Sequence, residues 1–335
     1  MKYNMHEFLK ALPASGKALP ILSFPCVSLL GISVKELISD STLQAKGMKA
    51  IAERADVAAA VSFMDLSVEA ECFGATVRVS DDEVPTIVGR LVNDEDEAEA
   101  LKVPKVGDCR SGIYVDAIRK ASEIINDRPV LAGMIGPFSL AARLLDVTEI
   151  MMDCYDEPDM VHTVLKKATE FLKSYAIALK KAGADGIMMA EPVSGLLSPA
   201  LEEEFSSPYV KEIIDAVQDD SFGLIYHNCG DNTPLMVESF KSFGAAAYHF
   251  GNSIDLEGMI KKFPKDTIIM GNVDPAGVLR MSDADTVRKV TLELLDKCSK
   301  YPNFVLSSGC DMPPMTPWEN IDAFIKAAED SKKGN

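Results

Sequence analysis

Short apolar runs alternate with longer amphipathic segments along the whole chain. Eight of the runs have the length and composition of buried strands: residues 20–24, 57–63, 129–135, 186–190, 223–227, 245–250, 267–271 and 303–308. The stretches between most of them read as helices, for instance 158–182, 201–218 and 283–300. Strands that alternate with helices in this way predict parallel βα units, and eight units predict an α/β TIM (β/α)8 barrel. Three Pro-containing sites read as helix starts, Ser198-Pro199, Asp274-Pro275 and Thr316-Pro317, the last as a capping box completed by Glu319. No Gly/Ser-rich or Pro-rich linker and no fixed repeat divides the sequence, so 1–335 is expected to be one barrel domain. Residues 72–112 are the least regular part and are expected to form an excursion over the barrel mouth. The acidic run 93–97 within it reads as a solvated face.

In a TIM barrel the chemistry sits at the carboxyl ends of the strands, so the residues just past each run carry the functional signal. After the fifth run comes YHNCGD, with His227 and Cys229 two apart and therefore on one side of an extended strand. After the eighth comes SSGCDMPP, which presents Cys310. Strand ends of a closed barrel open onto one mouth, so these three side chains can converge although about 80 residues separate the segments. One imidazole and two thiolates suit Zn2+, and three protein ligands leave a fourth position open, as catalytic zinc sites do. The same residues also admit a plain packing reading, because cysteine is often a small buried hydrophobe. Glu191 follows the fourth run, as a fourth ligand, a base, a substrate clamp or a loop-holding residue. Asp65 follows the second run and His249 ends the sixth, while Asn272 and Asp274 follow the seventh, Asp274 as a helix cap.

Charge and composition narrow the classes. Acidic residues outnumber basic ones 51 to 34, a net charge of −17, which disfavours nucleic-acid backbones and anionic membranes as general partners. With 47% hydrophobic and 25% charged residues the 335-residue chain is expected to fold and to be soluble. Residues 18–34 lack charge but contain Pro20, Pro25 and Gly31 and do not read as a membrane span or a signal peptide. Seven cysteines without disulfide-like spacing read as reduced thiols, and a cytoplasmic protein is expected. Apart from Cys229 and Cys310, the cysteines read as packing or surface thiols. The chain contains no phosphate- or dinucleotide-binding glycine loop and no nucleophile-elbow serine.

Four stretches together resemble the uroporphyrinogen decarboxylase superfamily: MGNVDP at 270–275, SSGCDMPPMTPWENI at 307–321, IGPFSLAARLL at 135–145 and MDLSVEAECFG at 64–74. The resemblance spans nearly the whole chain and implies a TIM barrel. True decarboxylases of that superfamily carry an arginine-rich N-terminal segment, a histidine in the closing glycine motif and a tyrosine after the third-strand glycines. Here 21–31 holds no arginine, Cys310 stands at the histidine position and 135–145 lacks tyrosine, although Asp65 matches the decarboxylases' aspartate. The zinc-dependent corrinoid methyltransferases of the same superfamily have H-x-C followed far downstream by one Cys, and His227, Cys229 and Cys310 fit that pattern.

The resemblance therefore implies zinc held by His227, Cys229 and Cys310. It implies methyl transfer between the cobalamin of a separate corrinoid protein and a small substrate. That substrate is a methyl donor such as a methoxylated aromatic, or a thiol acceptor such as coenzyme M. No cobalamin-binding D-x-H-x-x-G motif occurs, so the corrinoid is expected on a partner. Glu191 is expected as exchangeable ligand or proton handler, and Asp65 and His249 as substrate or supporting contacts. The alternatives are a tetrapyrrole decarboxylase and a non-catalytic barrel that binds zinc or corrinoid protein.

Overall fold

The computed structural model describes residues 2–333. Seven parallel strands form one curled sheet: β1 (Ala60–Val61), β4 (Val130–Ile135), β5 (Gly186–Ala190), β6 (Gly223–Asn228), β7 (Ala247–Phe250), β8 (Ile268–Val273) and β9 (Phe304–Ser308), neighbouring in that order. Between β1 and β4 a small antiparallel hairpin intervenes, β2 (Thr76–Arg78) with β3 (Thr86–Val88). The barrel strands from β4 onward are buried at every residue, which suits parallel strands covered on both faces.

The expected strand at 20–24 is the exception: it takes the eighth place of a TIM-like barrel without forming a ladder. Ala58 N donates to Ala18 O on one side of it, and Leu19 N donates to Leu306 O on the other. Pro20 and Pro25 have no N–H to give, so regular pairing ends there and isolated hydrogen bonds close the barrel. The helix expected over 201–218 is likewise divided, into Pro199–Phe205 and Ser207–Val217, with Pro208 in the first turn of the second. Ser198 and Asp274 cap helices as expected. The Thr316 hydroxyl instead donates to Pro313 O, and the last helix begins at Trp318.

Two apolar layers hold the fold. Inside the barrel, Leu131, Met188, Ile225, Ala247, Met270 and Val305 pack together, and the helix Met5–Ser15 plugs the lower end with Met5, Leu9 and Leu12. Outside, a larger cluster joins the strands to the helices, with Tyr175 and Phe171 of the long helix Pro158–Lys181 among its fully buried members. The lower barrel is thus filled with apolar side chains. Among the described residues no helix is long and apolar enough to cross a membrane.

Candidate metal centre

Strand alternation places the site. Ile225 points into the barrel, so His227 two residues on does too, and Ala247 and His249 repeat the pattern on β7, where His249 is the register partner of His227. On β9 the inward Val305 is followed by Ser307. Asn228 faces the other way and fastens the turn that carries the H-x-C motif. Its Nδ2 donates to Glu191 O (2.8 Å) and Ser194 Oγ (3.0 Å), and its Oδ1 accepts from Gly230 N (3.0 Å) and Thr233 Oγ1 (2.6 Å).

The segment after β9 is pinned on both sides of Cys310. Gly309 N donates to Val273 O at 2.6 Å, and the Asp311 carboxylate accepts from Ser23 Oγ at 2.8 and 3.0 Å. The ligand atoms of His227, Cys229 and Cys310 consequently lie within 4.8 Å of one another. Of these, His227 is 1% exposed and its Nε2 has no hydrogen-bond partner. A buried polar nitrogen left unpaired costs about 1–3 kcal/mol. One nitrogen and two sulfurs around a shared centre fit a zinc ion, whose bound state would satisfy that nitrogen.

The two sulfurs differ in acidity. Their mutual hydrogen bond lowers the pKa of Cys229 below the usual thiol value and pushes that of Cys310 up to about 12, with burial adding to the rise. Burial also carries His249 well below the ordinary histidine range, with the neighbouring His227 as the second cause, so its ring is neutral. The other five cysteines are free, three of them (Cys26, Cys154 and Cys298) buried.

The remaining expected residues lie elsewhere on the rim. Glu191 is buried with its carboxylate turned to the start of the helix Pro137–Leu145, where Oε1 accepts from Phe138 N (2.6 Å) and Oε2 from Ser139 N (3.0 Å). Burial pushes its pKa up to about 8 against the pull of those donors. Asp65 accepts from Ser67 N and Oγ, from Tyr114 Oη (2.9 Å) and from Arg110, whose guanidinium also pairs with Glu71 (2.6 Å). The structure thus brings His249 against His227 and holds Glu191 and Asp65 in hydrogen-bond networks of their own.

Arg110, Asn228, Ser307 and Asp311 were not foreseen from the sequence. Asn228 and Ser307 had a readable signal, since a polar residue at the end of a buried strand must find a partner. Arg110 had none, because only the folded excursion carries it back to Asp65.

The sequence pattern of the uroporphyrinogen decarboxylase (URO-D) family matches residues 21–331. A methylcobamide:CoM methyltransferase MtbA from Methanosarcina acetivorans is 27% identical over 272 residues, covering 80% of this chain and 78% of that one. A uroporphyrinogen decarboxylase from Coxiella burnetii is 26% identical over 306 residues, covering 88% and 81%. Among solved structures, a methyltransferase from Methanosarcina mazei has the same fold, with a TM-score of 0.86 at 24% identity over 98% of both chains.

Proposed function

Since the chain belongs to the uroporphyrinogen decarboxylase family, an enzyme family with two chemistries among the relatives above, we propose that it is the zinc-dependent methyltransferase kind. It moves a methyl group between the cobalamin of a partner corrinoid protein and a small substrate. The observation that carries this reading is the convergence of His227, Cys229 and Cys310 around an unpaired, buried Nε2. The engagement of Asp65 by Arg110, Tyr114 and Ser67 weighs against the decarboxylase alternative, because the aspartate has no free face to offer a tetrapyrrole.

When zinc is bound by these three residues it supplies a Lewis acid that holds a thiol as thiolate or polarises an ether oxygen. The chain's own residues prepare the place for it. His227 presents a buried Nε2 with no hydrogen-bond partner, and Cys229 and Cys310 would give up their protons on ligation. Ile225, Ala247 and Met270 pack beneath the centre inside the barrel. Glu191 and Asn228 hold the loops after β5 and β6 in the positions that aim Cys229. The excursion 72–112 belongs to the same single-domain barrel and brings Arg110 to its rim.

Of the two directions of transfer, a thiol acceptor is favoured, since the methyltransferase relative at 27% identity is named for coenzyme M. The test is metal analysis of purified wild type, Cys310→Ala and His227→Ala, followed by assays of thiol acceptors with methylcobalamin or a methylated corrinoid protein and of methyl ethers with the reduced Co(I) corrinoid protein. One zinc per wild-type chain, lost in both variants, with methyl transfer to 2-mercaptoethanesulfonate or from methyl ethers, is expected. A wild-type chain prepared without chelators that holds no metal and converts uroporphyrinogen would overturn the reading.

A further inference from the structure

A neutral imidazole carries one proton on two nitrogens, and the nitrogen without it is the one that can bind a metal. Which nitrogen of His227 is bare is decided by a chain of hydrogen bonds that begins on the far side of the barrel. Leu19 lies on the closing segment, where its N–H is spent on Leu306 O. Its carbonyl accepts from Ser307 Oγ at 2.7 Å, which uses the only proton of that hydroxyl. The Ser307 oxygen therefore faces His249 Nε2, 2.7 Å away, as an acceptor, and the His249 proton sits on Nε2. That leaves a lone pair on His249 Nδ1, which lies 2.8 Å from Nδ1 of His227. His227 must then carry its proton on Nδ1 and turn a bare Nε2 toward Cys229 and Cys310.

The reverse order fails at both ends. A proton on His227 Nε2 would face the weakly accepting sulfurs of Cys229 and Cys310 with no hydrogen bond made, and His249 would then aim a bare Nε2 at the lone pairs of Ser307.

On the premise that His227 is a metal ligand, we propose that His249 and Ser307 are positioning residues: with the Leu19 carbonyl as fixed end, they set the tautomer of His227 and so the zinc affinity of the site. The first, unpaired stave of the barrel is thereby coupled to the metal centre, although it contributes no ligand. Supporting hydrogen bonds of this kind are worth about 10–100-fold in metal affinity.

The experiment uses the full chain labelled with 15N-histidine, metal-free, and reads ring protonation from two-bond 15N–1H correlation spectra. Wild-type His227 is expected as the Nδ1–H form. In Ser307→Ala both rings are expected to become tautomer mixtures, and Ser307→Thr, which keeps the hydroxyl, to restore the wild-type pattern. In parallel, competition with a chromophoric chelator should show zinc affinity about 10–100-fold weaker in Ser307→Ala and in His249→Phe, with recovery in Ser307→Thr. Thermal unfolding of the metal-free proteins identifies any variant that fails to fold, and Ser307→Ala, the smallest change, carries the test should His249→Phe do so. A His227 Nε2–H form in the wild type, or unchanged zinc affinity in folded Ser307→Ala, would overturn the relay. A wild-type protein that takes up no zinc would instead remove the methyltransferase reading and with it the relay's effect on affinity, while the spectra would still decide the hydrogen-bond order.

Discussion

At Glu69 the two carboxyl oxygens keep different company. Oε1 accepts from Ile135 N at 3.1 Å, while Oε2 has no hydrogen-bond partner and the residue is 2% exposed. Burial is the largest cause that pushes its pKa up to about 7, from an ordinary value of 4.5. The folded state therefore holds this proton more tightly than the unfolded chain. The associated stability is complete below pH 4.5 and is lost as pH rises to about 7. At the usual 1.4 kcal/mol per pH unit the loss amounts to roughly 3 kcal/mol. Glu69→Gln keeps the acceptor for Ile135 and cannot ionise. Denaturant titrations should show it stabilised relative to wild type by about 3 kcal/mol more at pH 8 than at pH 4. Parallel pH profiles for the two proteins would refute the assignment.

The connections after the strands show the next scale. The loops after β5 and β6 meet backbone to backbone at Gly195 and Gly230, where an added Cβ on either would collide with the other. Just past β7, a Cβ on Gly251 would collide with Cys229, while Asn272 Nδ2 ties the same loop to β8 through Gly251 O (2.8 Å) and Ile254 O (2.7 Å). The candidate metal centre is thus built by close backbone approach of neighbouring loops, which leaves no room for a side chain. In Gly251→Ala the held loop forces Cys229 to move. Zinc affinity should fall at least tenfold by chelator competition, and the melting temperature of the metal-free protein should change far less than in a core Leu→Ala variant. Wild-type zinc affinity in Gly251→Ala would show that Cys229 is not confined in this way.

Among the described residues the exposed large apolar side chains fall into two sets: six, Tyr155 and Met152 among them, lie on outer helices and the small hairpin, and five lie on segments after the strands. Leu29, Leu196, Leu235, Met281 and Met315 stand on the segments that follow the closing segment, β5, β6, β8 and β9, all at the end of the barrel that holds the metal centre. Those five offer apolar contacts for a partner that docks at the mouth. Under the proposed function a corrinoid protein would bring its cobalamin to this mouth. Leu235, 66% exposed beside the H-x-C loop, is the residue to alter. Leu235→Asp is expected to weaken capture of the corrinoid protein by roughly tenfold in a binding titration, with zinc content and thermal stability unchanged. Unchanged capture would place the partner on another face.

The chain's local chemistry determined a good deal unaided. Alternating apolar runs specified seven of the eight barrel staves, because a strand buried on both faces has to be apolar throughout. H-x-C spacing put His227 and Cys229 on one side of β6 by strand periodicity alone, and the SSGC stretch offered Cys310 at the corresponding end of β9. What the tertiary structure decided is the company each residue keeps. Glu191 and Asp65 are indistinguishable from ligands or bases in the sequence, since a carboxylate after a strand reads the same whatever it faces. Only the packed loops turn one to the helix at Pro137 and the other to Arg110. The two prolines that keep 20–24 from pairing are plain to see, yet the closure of the barrel around them depends on hydrogen bonds from residues about 40 and 290 positions away. The line from Leu19 through Ser307 and His249 to His227 joins three distant segments, and such partners become visible only when the chain is folded.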